Sequence, residues 1–216
     1  RDHSAAGEYQ YVVESGYHGA WKDQVSNFTY NGHGPSWIIT ESGGTHYMES
    51  CRIEKGKPHR IFPTLQTGDV LWKDYDVSAT VRRLSTKGMA GLAFNMNDSI
   101  DTLVFSLEYK KTANLSYRHK EDVIILKSVP FESDCDQYYK LMVSCEGSRV
   151  TCSVNGQTLI EYEGKLVERG GKIAVTADCP TQFTDVLVMV TDETADEIRE
   201  RIRAGKEKEK QLCIDL

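Results

Sequence analysis

Strict period-two alternation runs through most of this chain and limits what it can fold into. Tyr75-Asp76-Val77-Ser78-Ala79-Thr80-Val81-Arg82 places an apolar residue at every second position. Successive side chains on a strand point to opposite faces, so such a segment buries one face and solvates the other. Leu103, Phe105, Leu107 and Tyr109 alternate with Thr102, Ser106 and Glu108, and Leu115 and Tyr117 alternate with Ser116 and Arg118. Further apolar runs cover 123–126, 138–145, 150–154, 158–162, 173–177 and 183–190. Turn-forming groups separate them: Asn97-Asp98-Ser99, Glu146-Gly147-Ser148, Asn155-Gly156 and Gly170-Gly171. Asn155-Gly156 is the strongest of these, because a two-residue type I′ hairpin needs positive φ at both positions.

At least nine strands at this spacing, with no long helical pattern between them, predict an antiparallel sandwich or barrel. A parallel α/β fold is excluded on the same ground. Residues 1–72 are less regular. Tyr9 to Val13 and Trp37 to Ile39 read as strands, joined by a long loop rich in aromatics, His and Gly. Thr194-Ala195-Asp196-Glu197 reads as a capping box, with Ile198 and Ile202 on one helical face and Gly205 as the stop. The expected layout is a β-sandwich over 1–190 and a helical, charged tail or linker over 191–216.

Charge and composition narrow the partners. The 216 residues carry 26 basic and 32 acidic side chains, a formal net charge of −6. That argues against nucleic acid, whose binders present a basic stripe. No apolar run approaches the ~20 residues of a spanning helix, so membrane insertion is not expected. The cysteines are Cys51, Cys135, Cys145, Cys152, Cys179 and Cys213, with no Cys-x-x-Cys pair of the zinc-ribbon kind. If the Asn155-Gly156 hairpin closes, Leu141, Val143, Cys145, Val150, Cys152 and Val154 share one apolar face. Cys145 and Cys152 are then expected as buried thiols, which favours a reducing, cytoplasmic compartment.

The usual signatures of catalysis are missing: no Gly-x-Ser-x-Gly, no His-Glu-x-x-His, no phosphate loop and no dinucleotide fingerprint. Glu132-Ser133-Asp134-Cys135-Asp136 has acidic side chains at alternate positions but reads as an exposed acidic loop. Tyr117-Arg118-His119 holds the residue types of acid–base elimination, yet Tyr117 and Arg118 point to opposite faces of one strand. Sugar binding needs less, an aromatic ring to stack and planar polar groups to pair with hydroxyls. Trp21, His33 and His46 supply that chemistry, whereas Trp37 and Trp72, beside aliphatic neighbours, read as core.

The segment Tyr138-Tyr139-Lys140-Leu141-Met142-Val143-Ser144-Cys145-Glu146-Gly147-Ser148-Arg149-Val150-Thr151-Cys152-Ser153-Val154-Asn155-Gly156 resembles the concanavalin A-like, laminin-G-like jelly rolls. Gly171 to Ala177 and Phe183 to Val188 resemble that family's last two strands, and Tyr75 to Ala79 an early one. The resemblance implies an all-β, antiparallel two-sheet jelly-roll sandwich with a short C-terminal helix. It implies a module of glycan-processing proteins, of the keto-disaccharide hydrolase and carbohydrate-binding types. No cofactor is required, and a structural calcium near Asp185 is implied by other members. The charged tail resembles the junction to a further domain, beyond residue 216, in polysaccharide-lyase-like proteins. This glycan context favours an extracellular or cell-surface location.

The leading expectation is a non-catalytic carbohydrate-binding module of a larger glycan-degrading protein, with an oligo- or polysaccharide as partner. Its site is placed on the concave sheet face, at Trp21, His33, His46, Asn95, Glu108 and Arg118. One rival is a lyase or hydrolase using His46, Glu108 and Arg118. The other is a structural or protein-interaction sandwich.

Overall fold

The alternating segments become strands in a computed structural model that describes residues 8–11, 29–31, 37–50, 64–98, 100–120 and 122–214. The strands are β1 (Glu8–Tyr11), β2 (Thr29–Asn31), β3 (Trp37–Ser42), β4 (Thr45–Ser50) and β5 (Thr64–Thr67). Next come β6 (Asp76–Arg83), β7 (Met89–Asp98), β8 (Asp101–Glu108), β9 (Lys111–His119) and β10 (Asp122–Phe131). The last are β11 (Tyr138–Glu146), β12 (Arg149–Val154), β13 (Gln157–Glu163), β14 (Lys172–Ala177) and β15 (Thr181–Met189). Two helices complete the set, α1 (Lys165–Glu168) and α2 (Asp192–Ile214).

The strands form two sheets, which decides the choice between sandwich and barrel. The larger sheet runs β13-β12-β11-β6-β15-β4-β3, with β1 also on β15, and the smaller runs β10-β9-β8-β7-β14-β5-β2. Ladders within both sheets are antiparallel. The fold is a concanavalin A-like jelly-roll sandwich, all-β apart from its helices.

Alternation explains the core directly. Val77, Ala79 and Val81 of β6 lie opposite Val143, Leu141 and Tyr139 of β11, on the face turned inward. From the smaller sheet Leu92, Phe94, Leu103, Phe105 and Leu115 join the same buried cluster. Trp37 packs on Phe183 with ring centroids 6.0 Å apart, and Trp72 is also buried. Each such side chain contributes roughly 1.5–3 kcal/mol on burial. Pro130 sits in β10, at the sheet margin, where no neighbouring strand needs its missing N–H. Asn155 and Gly156 have φ of 50° and 82°, the conformation that a type I′ turn demands.

The C-terminal helix departs from expectation at both ends. Thr191, not Thr194, caps it: its Oγ1 accepts the Thr194 N–H at 3.3 Å. Thr194 instead turns inward with Ala195 and Ile198, while Ile202 stays exposed. Gly205 does not stop the helix, which spans 23 residues. A mid-helix glycine costs only about 1 kcal/mol. The flanking Glu, Lys and Arg are good helix formers, and Arg203 bridges Glu200 and Glu207 across that turn.

Cys145, Cys152 and Cys179 are buried free thiols, Cys135 is half-buried and Cys213 is exposed, while Cys51 lies outside the described residues. Burial pushes the Cys179 thiol up to about 11 and Cys145 up to about 12, so neither offers a thiolate at neutral pH. Of these five, only Cys213 and, more slowly, Cys135 are expected to react with a water-soluble thiol reagent in the native state. Cys145, Cys152 and Cys179 should react only with unfolding. Peptide mapping after timed labelling reads this, and prompt labelling of Cys152 would contradict the packing described.

Candidate functional site

Strand β9 divides its side chains between two surfaces. Ala113 and Leu115 enter the core, while Asn114, Ser116 and Arg118 point to the outward face of the smaller sheet. Outward-facing polar side chains are normally solvated, yet these three are buried. Ser106 of β8, opposite Asn114, and Thr176 of β14 are buried on the same face.

All of these but Thr176 line a cavity of about 410 Å³. Ser106, Asn114, Ser116, Arg118 and Asp178 give it polar walls, and Met89, Val123 and Ile125 give it apolar ones. Glu108, Tyr109, Lys87 and Lys111 also line it. Both lysines are exposed. Lys87 belongs to the β6–β7 connection and Lys111 opens β9.

Arg118 spans the sheet. From β9 its Nη1 donates to Thr176 Oγ1 on β14 at 3.4 Å, past β8 and β7. Small residues on those strands, Gly91, Ala93 and Ser106, leave the room. Burial pushes the guanidinium down to about 9, and the Asp178 carboxylate acts in the other direction. Arg118 therefore remains a cation at neutral pH, held in a poorly hydrated place.

Asp178 is the counterpart. Burial raises its carboxyl above the ordinary carboxylate range, while the Met89 N–H, Arg118 and Arg83 pull it down in part. The Met89 N–H donates to its Oδ1 at 2.6 Å. Gly88 permits this approach. Its φ is 84°, and a Cβ there would lie 2.4 Å from Asp178 Oδ1. Buried Arg83 fixes the surrounding loops, donating at 2.8 Å to Gly88 O and at 2.8 Å to Ser133 Oγ. Its guanidinium also lies 5.9 Å from the Tyr109 ring centroid.

Of the residues expected at the site, Glu108 and Arg118 meet at this cavity. Asn95 does not line it. It lies fully buried at φ 47°, and its Nδ2 donates to Val167 O of α1 at 2.7 Å. His46 belongs to β4 of the other sheet, 3.5 Å from Glu41. Trp21 and His33 lie outside the described residues.

Asp185 is exposed on β15, at φ 54°, and accepts a hydrogen bond from Thr80 Oγ1 at 3.4 Å. Calcium takes 6–8 oxygen ligands, usually with several carboxylates. Among the described residues no group of three or more His, Cys, Asp or Glu is placed to hold a metal ion.

The polar and charged cavity residues that sequence reasoning missed include Ser106, Asn114, Ser116, Asp178, Lys87 and Lys111. Asn114 and Ser116 were accessible, since they precede Arg118 at period two. Tyr117, on the opposite face, belongs to a separate cluster. Its hydroxyl donates to Asp101 Oδ1 at 2.8 Å and meets His119 Nδ1 at 3.0 Å. Arg169 clasps Asp101 through both carboxylate oxygens, at 3.0 and 3.1 Å. That cluster ties the loop after α1 to β8 and β9.

No protein-family model matches this chain, and no curated protein sequence matches it. Solved structures do resemble it. A protein of unknown function with a galectin-like fold from Bacillus subtilis aligns with TM-score 0.58 and 15% identity, over 84% of this chain and 94% of that one. The carbohydrate-binding module CBM66 from Bacillus subtilis aligns with TM-score 0.56 and 11% identity, over 71% of this chain and 95% of that one. A Crh5 transglycosylase in complex with NAG aligns with TM-score 0.56 and 10% identity, over 88% and 86%. At such identities the likeness establishes the fold alone.

The raised carboxyl of Asp178 has a measurable consequence. Between the ordinary carboxylate value near 4 and its higher folded value, the folded chain binds more protons than the unfolded chain. Stability contributed at Asp178 therefore falls as pH rises through that window. Asp178→Asn keeps an acceptor for the Met89 N–H and removes the titration. Melting temperatures from about pH 4 to about pH 7 should show a shallower decline in the variant than in the parent. Parallel profiles would place the origin of the slope elsewhere.

Proposed function

We propose that this chain is a carbohydrate-binding β-sandwich whose sugar site is the cavity on the outward face of the smaller sheet. The observation that carries this reading is the set of buried polar side chains there, Ser106, Asn114, Ser116 and Arg118, around open space. Hydroxyl, amide and guanidinium groups in fixed positions match the paired hydroxyls of a sugar ring, and Met89, Val123 and Ile125 accept its C–H faces. Tyr109 is the aromatic side chain in this lining. The volume lies in the usual range for small-molecule sites, about 300–1,000 Å³.

The structural relatives support the reading. One is itself a carbohydrate-binding module, and another was solved with NAG bound. In this reading the exposed length of α2 serves as the connector to a further domain of a glycan-degrading protein. The cavity does hold two carboxyl groups, Glu108 and Asp178. Asp178 is engaged with the Met89 N–H beside two arginines, an arrangement suited to positioning Arg118 rather than to shuttling protons.

A glycan array followed by calorimetry tests this. At least one oligosaccharide should bind, and Ser116→Leu, which fills the cavity, should weaken it by roughly tenfold or more. Lys140→Ala, exposed on the larger sheet, should bind as the parent does. An array with nothing above background would sink the proposal, and so would full affinity in Ser116→Leu with its fold intact by circular dichroism.

A further inference from the structure

We infer that the glycan taken by this cavity carries an anionic substituent, a carboxylate or a sulfate; this rests on the sugar-binding reading above. The chain is acidic overall, with a formal charge of −6. The cavity has the opposite local balance. Arg118, Lys87 and Lys111 line it, and Arg83 lies close enough to act on Asp178. Against these four cations stand Glu108 and Asp178.

The two anions do not cancel the cations. The Asp178 carboxylate takes the Met89 N–H and acts on two cations at once, Arg83 and Arg118. Among the described residues no carboxylate pairs with Lys87 or Lys111. Their neighbour Lys110 shows the contrast, since it does pair, with Asp134 at 3.2 Å. Arg118 is 4% exposed. A cation with so little water around it gains more from an incoming anion than a surface cation would, because the local dielectric is low. Its planar fork matches a carboxylate or sulfate in two parallel hydrogen bonds.

A neutral sugar would be served by Ser106, Asn114 and Ser116 alone and would bring no counter-charge to Lys87 and Lys111. An anionic sugar uses both sets at once. The hydroxyl and amide groups take its ring hydroxyls, Arg118 takes its charged group, and the exposed lysines draw it in.

Calorimetry on the whole chain with two matched pairs of ligands tests the inference. One pair is an oligogalacturonide and its carboxyl-reduced form. The other is a sulfated galactan oligomer and its desulfated form. At low salt at least one charged member should bind roughly tenfold or more tighter than its neutral counterpart. The pair that shows the gap identifies the anionic group. Raising salt to about 0.5 M should narrow the gap, and so should the double variant K87Q/K111Q. If neutral members bind as tightly as charged ones, or if the array yields only neutral ligands that Ser116→Leu weakens, the inference falls and the sugar-binding reading stands. If no glycan binds in either experiment, both fall.

Discussion

Ala113 and Leu115 face the core while Asn114, Ser116 and Arg118 face the cavity, so the pairing register of β9 sets both surfaces together. Phe105 opposite Leu115 and Ser106 opposite Asn114 hold that register from β8. A slip of one residue would send Arg118 into the core among Phe94, Leu103 and Phe105 and turn Leu115 outward. The desolvated cation alone would cost several kcal/mol, and the exposed leucine roughly 1.5–3 kcal/mol more. The hydrophobic pattern that builds the sandwich therefore also delivers the polar wall of the cavity. No separate device is needed to place those three side chains.

The charged groups then need support of their own, because none of them gains from the core. Arg83 provides it by anchoring two connections at one end of the smaller sheet, through Gly88 O and Ser133 Oγ. The Asp178 carboxylate acts on both Arg83 and Arg118 and offsets part of the repulsion between the two guanidinium groups. Buried ionic groups of this kind add little net stability. Their effect is geometric, since each holds the next in one position before any ligand arrives.

The parts of this molecule legible in the sequence were those set by local pattern. Tyr75 to Arg82 reads as a strand because alternation is visible residue by residue, and Asn155-Gly156 reads as a hairpin because few pairs accept positive φ twice. Asn95 shows where pattern misleads. It sits among alternating residues of β7, but the register shifts between Phe94 and Asp98 and its φ is 47°, so it leaves the face that alternation assigns. Gly205 misleads differently, since good helix formers on both sides, with i,i+3 and i,i+4 ion pairs offsetting part of the glycine cost, carry the helix past it. Asp178 carries no local signal. Its place beside Arg118, 60 positions earlier in the chain, comes only from the pairing of β14 with β7 and of β8 with β9.

Net charge misleads for a related reason. The formal −6 is a sum over the whole chain and does not say where opposite charges meet, as they do along α2, where Arg199 pairs with Asp196 and Arg203 with Glu200. Mobile ions screen exposed charges beyond about 8–10 Å at ordinary salt. A recessed cavity is screened less, so its potential follows the groups that line it: Arg118, Lys87 and Lys111, with Glu108 and the shared Asp178. An acidic chain can therefore hold a cationic cavity. Anionic glycan is attracted where Lys87 and Lys111 project. The low overall charge that speaks against a nucleic-acid duplex, which needs a long basic stripe, leaves room for a short charged sugar that needs only one cation cluster.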